Sequence, residues 1–500
     1  MHFYNKTRDF TTNSPVTLPH GTVVFPSQHL RCVGVWLDRK LLFNYHVKQK
    51  TAAATRALNM ISRLSNSEWG LSAPAMRQLY YTCITPIADY GAEVLWKGQI
   101  GLANKLQKLQ AEANRRILGA FRTSPTAAME IEAATLPIPL RLDRQYKRYA
   151  YRVLQILKMQ ADWRKTDSEQ AKFPTQLIKV LNTLSSFLPV GQDVEQCYPN
   201  LQLPWDTNLP DTTSRLDITI SQEDKDTVAK SHITLLNSLN NSENLVLYTD
   251  GSELQNGRVG AGVVMMHGGG IRDGLGCGMK VYDGELVGIV RALTEASRSS
   301  LSFKHIWVFT DNQAAISNSH RLSPHPGQQI SQQIQQLTKD LLSSDLDLQL
   351  HLHWIPSHSG IQGNDEADRL AKQAAEYPQP DIDSYLSLTK LKTQIKQSAL
   401  KAWHQYWTQL QPAKQGRYHR SIHFYLPSLH PPLHFFQLHR PQLATVTQLR
   451  LGHGYFNSYL SRLDENVSDR CSCTKSTPPP QTPEHLILYC SRYQQHRHLL

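Results

Sequence analysis

Cysteine and long apolar runs are both scarce in this chain. It has 7 cysteines in 500 residues, too few and odd in number for the disulfide scaffold of a small secreted protein. No run approaches the roughly 18 consecutive apolar residues that span a membrane. The opening residues, MHFYNKTRDF, lack the apolar core of a secretion signal. These absences predict an intracellular protein, nuclear or cytoplasmic, that is not secreted and has no membrane partner.

Positive charge is unevenly distributed along the chain, whose formal net charge is +12. Residues 31–158 carry 20 Lys and Arg against 8 Asp and Glu, whereas residues 245–376 carry 10 against 14. A basic region beside an acidic domain suits a protein in which one part holds a polyanion, such as nucleic acid, and the other acts on it. A basic surface that is only solvated has the same composition, so charge alone leaves both interpretations open.

The length of the chain predicts two to four domains. Residues 31–38 have the pattern of a strand, and helical periodicity follows it in four segments, 47–64, 74–96, 101–121 and 141–157. We divide the chain into a leader (1–30), a basic helical region (31–160), a linker (161–243), an α/β domain (244–376), a connector (377–440) and a Cys/His-containing tail (441–500).

Strand-like and helix-like segments alternate within residues 244–376. The predicted strands are 244–252, 258–266, 276–282, 305–311 and 348–358, and the predicted helices include 284–297 and 364–375. Strands mixed with crossover helices indicate an α/β domain with a mixed five-stranded sheet. Asn364 and Asp365 stand where the last helix begins, so we expect them to cap it.

Four acidic residues stand at the ends of these elements. Asp250 and Asp311 each end a predicted strand, Glu285 lies in the first turn of a helix, and Asp368 lies on the last helix. Strand ends meet at one edge of an α/β sheet, where ligands bind. Carboxylates gathered there repel one another unless a cation neutralises them, and oxygen ligands favour Mg²⁺ or Mn²⁺. The pattern therefore predicts a site for two such ions, which suits in-line hydrolysis of a phosphodiester. Each acid taken singly is more typical of a helix cap or a surface position, and the prediction depends on the conjunction of all four.

The segments that contain these acids resemble the four blocks of type 1 ribonuclease H in order and spacing. They are TDGS (249–252), GELVGIVRAL (284–293), FTDNQAAI (309–316) and WIPSHSGIQGNDEADRLAK (354–372). The likeness is greatest to the ribonuclease H domain of non-LTR retrotransposon polyproteins. It implies a ribonuclease H-like sheet flanked by helices, and an endonuclease that cuts the RNA strand of an RNA–DNA hybrid to leave 5′-phosphate and 3′-hydroxyl ends.

The resemblance also implies roles for individual residues. Asp250, Glu285, Asp311 and Asp368 carry over as ligands of two Mg²⁺ (or Mn²⁺) ions. His358, in the SHSG loop, carries over as the group that assists proton transfer or product release, a role that suits imidazole chemistry near neutral pH. Residues that flank the acids are expected to contact the sugar–phosphate backbone of the substrate: Gly251, Ser252, Asn312 and Gln313. Gly251 and Ser252 are also typical turn formers.

Residues 31–160 are similar to the thumb of non-LTR reverse transcriptases, on the segments CVGVWLDRKLLFNYHV, YYTCITPIADYGAEVLW and LQKLQAEANRRILGAFRTSP. The resemblance implies that the basic helices track a phosphate backbone; a helical bundle with solvated charges is the alternative. No Asp-Asp dipeptide occurs anywhere in the chain, and a polymerase palm carries such a pair. We therefore expect a truncated retroelement polyprotein without polymerase activity of its own.

The tail contains a small cluster of potential metal ligands. Cys471, Cys473, His485 and Cys490 form the pattern C-x-C-x11-H-x4-C, a donor set that suits a tetrahedral structural zinc site. The tail resembles the segment that follows ribonuclease H in these polyproteins, where two residues usually separate the first cysteines instead of one. Structural zinc and free, reduced cysteines both remain open. For the whole chain, the alternative to an active nuclease is a catalytically idle remnant that only binds nucleic acid.

Overall fold

A computed structural model of the protein describes most of the chain. The described ranges are 15–159, 194–197, 213–239, 242–266, 269–299, 303–321, 323–377, 385–410, 417–422, 426–473 and 477–499. The start of the predicted leader and much of the predicted linker lie outside the described residues. Contacts divide the chain into two units, residues 147–395 and residues 1–146 with 396–500. Within the described ranges, no helix combines the length and the apolar character that a membrane span requires.

The amino-terminal part is mainly helical after four short strands. The strands are β1 (Val16–Thr17), β2 (Val23–Val24), β3 (His29–Cys32) and β4 (Val35–Asp38). The helices are α1 (Asn44–Ile61), α2 (Ala73–Leu79), α3 (Thr85–Ala88), α4 (Ala92–Leu95), α5 (Ile100–Leu118), α6 (Thr126–Glu132) and α7 (Ile138–Met159).

Strands and helices alternate in the middle of the chain, and helices return after it. The middle contains β5 (Leu216–Thr219), α8 (Lys225–Ser238), β6 (Asn244–Glu253), β7 (Val259–Met265), β8 (Gly270–Gly276), α9 (Val281–Arg298), β9 (His305–Thr310), α10 (Gln313–Ser319), α11 (Gln328–Ser344), β10 (Gln349–Trp354) and α12 (Gln362–Glu376). The last helices are α13 (Leu388–Gln409), α14 (Arg417–Ile422), α15 (His434–Gln437), α16 (Arg440–Leu451) and α17 (Asn457–Leu460).

Two local predictions in the amino-terminal part were wrong. The strand predicted at 31–38 is a hairpin of β3 and β4, because Val33 (φ 46°) and Gly34 (φ 76°) adopt the two left-handed conformations of a tight hairpin turn. The helix predicted at 74–96 is interrupted by a π-helical turn at residues 80–84 and by Gly91 (φ 78°). Pro86 lies in the first turn after the π-helical segment. Since proline has no N–H to donate, a regular α-helix cannot continue through it.

The sheet in residues 147–395 has six strands in the order β5-β10-β9-β6-β7-β8. Strands β5, β10, β9 and β6 are parallel, and β7 and β8 are antiparallel to their neighbours. The predicted α/β fold with a mixed sheet is confirmed. The sheet has one strand more than predicted, because β5 comes from the segment interpreted as a linker. That strand is only four residues long and largely exposed, so it has no run of apolar residues to mark it.

Helices cover both faces of this sheet. One face packs against α9 and α11, in a core that contains Leu247, Ile289 and Leu352. The other face carries Tyr248 and Phe309 and packs against α8 and the start of α12. Successive residues of a strand point to opposite faces. Each strand therefore supplies side chains to both layers, which explains the unbroken apolar runs at residues 245–248 of β6 and 306–309 of β9.

A helical core joins the two ends of the chain in the other unit. Buried side chains of α1, α2 and α5 to α7 form one cluster with residues from after position 396. Trp403 and Phe435, both almost fully buried, belong to that cluster. Helices α13, α15 and α16, which follow the RNase H-like segment in the sequence, complete the core of the basic helical region. Their pairing depends on side-chain contacts between residues about 300 apart, which periodicity along the sequence does not reveal.

A buried carboxylate fixes one of these long-range contacts. Glu132, 1% exposed, accepts hydrogen bonds from His419 (2.8 Å), Arg450 (2.8 Å) and His434 (3.3 Å). Burial alone would raise the pKa of Glu132, but the hydrogen bonds from both histidines and the charge of Arg450 lower it below its ordinary value of 4.5. The network therefore stabilises the folded unit above about pH 4.5, and its contribution is lost as the pH falls further.

Replacing Glu132 by glutamine removes the anion that these three side chains share. We expect E132Q to lower the free energy of unfolding by about 3 kcal/mol, because Arg450 loses its counter-ion in a mostly buried site. Urea denaturation followed by circular dichroism measures this change. Glu112 is the matched control, since its ion pairs with Arg115 and Arg116 are on the surface and E112Q should cost less than about 1 kcal/mol. Equal effects of the two substitutions would contradict this role of Glu132.

Candidate active site

Parallel strand pairing places Asp250 and Asp311 side by side. Thr249 of β6 is the register partner of Thr310 of β9. Asp250 and Asp311 follow these two threonines directly, so they occupy neighbouring positions at the point where β9 ends. The sequence analysis expected the two acids to meet, and this strand register is what brings them together.

Glycines let the third acid approach the strand. A Cβ atom on Gly251 would lie 2.5 Å from the backbone nitrogen of Glu285 and 2.8 Å from the carbonyl carbon of Gly284. A Cβ atom on Gly284 would in turn lie 3.4 Å from the Cα of Gly251. Helix α9 can therefore contact β6 directly only because both positions lack a side chain. This close approach brings the Glu285 carboxyl group next to Asp250.

The four predicted acids come together. One carboxylate oxygen from each of Asp250, Glu285 and Asp311 lies within 4.8 Å of the others. Asp368, on α12, shares a hydrogen bond with Asp250 and forms an ion pair with Lys372 at 2.5 Å. Two carboxyl groups can share a hydrogen bond only when one carries a proton.

Burial, with added repulsion between the carboxylates, raises the pKa values of three of these acids. Burial raises the pKa of Asp250 to about 8, with added repulsion from Asp311 and Asp368. Burial and then repulsion from Asp250 and Asp311 raise the pKa of Glu285 well above its ordinary value. The pKa of Asp311 is also raised, first by burial, although Asn364 and His358 act in the opposite direction. Buried oxygen donors of this kind, three of them within reach of one ion, fit a hard divalent cation such as Mg²⁺ or Mn²⁺.

The loop histidine and the flanking residues lie around this cluster. His358 is exposed, has φ 54° and interacts electrostatically with Asp311. The side chain of Asn312 accepts a hydrogen bond from the Ala315 N–H at 3.0 Å, capping α10, and also hydrogen-bonds Glu285. Gln313 is exposed in the first turn of α10. Ser252 is partly exposed on β6, and Gly251 is buried against α9. Contact of these four flanking residues with a substrate stays a prediction.

Asn364 has a role that the sequence did not reveal. Helix α12 begins at Gln362 with Ile361 as its N-cap, so the expected capping by Asn364 and Asp365 was wrong. Asn364 lies in the first turn, is 4% exposed and hydrogen-bonds the Asp311 carboxyl group. Asparagine suits both a helix cap and a hydrogen bond to a carboxylate, so the residue type alone does not distinguish the two roles. The one signal in the sequence for contact with the acids is that Asn364 lies one helical turn before Asp368.

The Cys/His cluster of the tail also converges. The donor atoms of Cys471, Cys473, His485 and Cys490 all lie within 4.8 Å of one another, and all four residues are buried. The sulfurs of Cys471 and Cys490 are 3.7 Å apart, and Cys473 Sγ is 3.7 Å from His485 Nε2. A tetrahedral ion with sulfur ligands at ~2.3 Å holds them about 3.8 Å apart. The single residue between Cys471 and Cys473 therefore does not prevent the four side chains from facing a common centre.

Comparison with known proteins assigns the middle of the chain. Residues 242–376 match the RNase H family. The solved N-terminal RNase H domain of a Mycobacterium tuberculosis protein, fused to maltose-binding protein, is 21% identical, and the match covers 27% of this chain and 94% of that one with a TM-score of 0.22. The family match identifies residues 242–376 as an RNase H domain.

Two curated proteins extend the relationship. The retrovirus-related Pol polyprotein from the type-1 retrotransposable element R1 of Popillia japonica is 23% identical over 228 residues, which are 45% of this chain and 81% of that protein. The probable RNA-directed DNA polymerase from transposon BS of Drosophila melanogaster is 29% identical over 109 residues, which are 21% of this chain and 12% of that protein. The chain carries its RNase H domain within a sequence related to the Pol polyproteins of non-LTR retrotransposons.

Replacing Asp250 by asparagine should stabilise the metal-free protein. The folded state holds a proton on Asp250 up to about pH 8, whereas the unfolded chain loses it near the ordinary pKa of 3.8. Stability of the metal-free protein therefore falls as the pH rises through this window. We expect D250N to raise the melting temperature of the unit by several degrees at pH 8, since ~1 kcal/mol corresponds to about 2–4 °C at this size, and by less at pH 5.

Calorimetric melting at both pH values, with and without Mg²⁺, measures this difference. Mg²⁺ should stabilise the wild-type protein more than D250N, because the ion neutralises the charge that the substitution removes. A wild-type protein more stable than D250N at pH 8 without metal would show that the carboxylates do not repel one another in the folded state.

The tail cluster predicts bound metal in the purified chain. If zinc is held there, C471S together with C473S should remove one ion per chain and expose the tail to limited proteolysis, because a structural zinc site contributes directly to folding. Plasma mass spectrometry counts the ions. Cys32 and Cys83 are exposed and lie outside the cluster, so their serine variants serve as controls. Identical zinc content in all variants would identify the three tail cysteines as free thiols.

Proposed function

We propose that the RNase H domain hydrolyses the RNA strand of RNA–DNA hybrids with two Mg²⁺ or Mn²⁺ ions. The observation that carries this proposal is the convergence of Asp250, Glu285 and Asp311 within 4.8 Å, with Asp368 bonded to Asp250. These four carboxylates belong to a domain that matches the RNase H family. We further propose that a structural zinc ion occupies the Cys/His cluster of the tail.

The four acids would hold the ions, which when bound would supply an activated water and neutralise the leaving oxygen of the scissile phosphate. Glu285 is held in place by hydrogen bonds from Thr310 (3.3 Å) and Asn312. The carboxyl group of Asp311 accepts a hydrogen bond from Asn364. The backbone of Asp311 is also fixed, because its carbonyl oxygen accepts a hydrogen bond of 2.9 Å from the Trp354 indole. Such fixed donors cost no reorganisation when the substrate binds.

His358 is placed to move a proton. Its side chain is exposed in the loop between β10 and α12 and interacts with Asp311. Hydrolysis forms a bond between a water oxygen and phosphorus and breaks the bond to the 3′ oxygen, which takes up a proton and leaves as a hydroxyl group. An imidazole near the acids can accept and return such protons at neutral pH. The other product carries a 5′-phosphate.

Selectivity for the hybrid would follow from the shape of its groove. An RNA strand displays 2′-hydroxyl groups in a wide, shallow minor groove that polar side chains and backbone amides can contact. Ser252, Asn312 and Gln313 lie beside the acids on β6 and at the start of α10. We infer that these residues and the Gly251 backbone contact the sugars and phosphates of the substrate.

Cleavage of a labelled RNA–DNA hybrid by the purified chain tests the proposal. With Mg²⁺ we expect cleavage of the RNA strand, none of duplex DNA, and loss of activity to background in D250N. H358A should reduce the rate by about 10²-fold or more, since proton transfer contributes at least that much. Asp365 is exposed in the first turn of α12, so D365N is the matched control and should keep its activity. Hybrid binding without metal-dependent cleavage would support the idle remnant instead.

A further inference from the structure

A second group of metal-binding side chains lies at the edge of the sheet. Asp217 of β5 is the register partner of His351 of β10. His353 is two residues further along β10, so its side chain points to the same face as that of His351. Asp217 and His351 are 134 positions apart in the chain, and the parallel pairing of the added edge strand alone brings them together.

The donor atoms of these three residues converge on one point. Asp217 Oδ2 lies 3.2 Å from His351 Nδ1 and 2.6 Å from His353 Nε2. All three donor atoms lie within 4.8 Å of one another. An ion with nitrogen and oxygen ligands at about 2.0–2.2 Å holds them roughly 3.3 Å apart in a tetrahedral site. To admit an ion, only the distance between Asp217 Oδ2 and His353 Nε2 would have to widen, by less than an ångström.

Neighbouring side chains orient two of the three groups, His351 and Asp217. The remote nitrogen of His351 lies 3.3 Å from His305 Nδ1, and its ring stacks on Trp307 at 3.8 Å with an interplanar angle of 9°. Thr219 donates a hydrogen bond of 2.9 Å to the second carboxylate oxygen of Asp217. Metal sites in proteins characteristically hold the remote histidine nitrogen and the second carboxylate oxygen in this way, because such contacts fix ring orientation and ligand basicity.

We propose that Asp217, His351 and His353 form a binding site for a transition-metal ion such as Zn²⁺. Two imidazoles and one carboxylate select zinc and its first-row neighbours over Mg²⁺, which prefers oxygen ligands. The Asp217 side chain is 47% exposed, so water can reach the ion and complete its coordination. The chemistry of this site thus differs from that of the four acids.

The bound ion would fasten β5 to the rest of the sheet. Strand β5 has one neighbour, β10, and is only four residues long. A metal bridge between Asp217 and the two histidines of β10 closes a long loop of the chain, and such closure restricts the unfolded state. The site is therefore a structural clamp on the edge strand.

Metal counting on the full chain tests the proposal. Wild-type protein, D217N, H353N and H430N are equilibrated with Zn²⁺ in excess Mg²⁺, freed of unbound metal by gel filtration and analysed by plasma mass spectrometry. His430 is exposed and outside the cluster, which makes H430N the matched control. We expect D217N and H353N each to retain one zinc ion fewer than wild type and H430N. H305N should keep the site but bind its ion about 10–100-fold more weakly.

A second measurement on the unaltered chain covers the case in which a variant misfolds. Zn²⁺ should protect His353 from carbethoxylation, read by mass spectrometry, and leave the reactivity of His430 unchanged. Zinc content equal to wild type in folded D217N and H353N, or no protection of His353, would overturn the proposal. The three side chains would then form a metal-free hydrogen-bonded latch.

Discussion

Repulsion between buried carboxylates is the constraint around which the RNase H domain is organised. Like charges in a medium of low polarity repel strongly, and burial together with repulsion from Asp311 and Asp368 raises the pKa of Asp250 to about 8. The sheet and helix α9 hold Asp250, Asp311 and Glu285 together in spite of that repulsion. A group of acids maintained at such a cost to stability is typical of a cation site.

The surrounding fold supplies the rigidity that this arrangement requires. Parallel pairing of β6 with β9 fixes two of the acids, and contact between Gly251 and Gly284 fixes the third. Asn312 and Asn364 each bind one carboxyl group while they belong to a helix start. The supporting residues lie on strands and on the first turns of helices, and regular elements position side chains more precisely than loops do.

The acids of the candidate site could be predicted from the sequence, because each stands in a short block that resembles one of the blocks of type 1 ribonuclease H. The supporting contacts could not. Asn364 has the residue type of a helix cap, and only the structure shows that its amide bonds Asp311 instead. The close approach at Gly251 depends on helix α9, which begins 30 residues later. The sequence Thr-Asp-Gly-Ser by itself suggests a turn and gives no sign of that helix contact.

The fold was predicted best where side-chain patterns are local. The alternation of strands and helices in residues 244–376 indicated the α/β class, whereas β5 escaped notice because its four residues are mostly exposed. Val33 and Gly34 turned a predicted strand into a hairpin through backbone conformations that valine rarely adopts. The helical core also could not be predicted from the sequence, because contacts such as that of Glu132 with His419 join distant parts of the chain.

The most direct measurement of the central claim is a crystal structure of the chain soaked in Mn²⁺, with anomalous diffraction recorded at the manganese edge. Convergent, mutually repelling carboxylates predict manganese bound by oxygens of Asp250, Glu285 and Asp311. Manganese absent from that position in a crystal that binds it elsewhere, or those three side chains found pointing apart, would contradict the account.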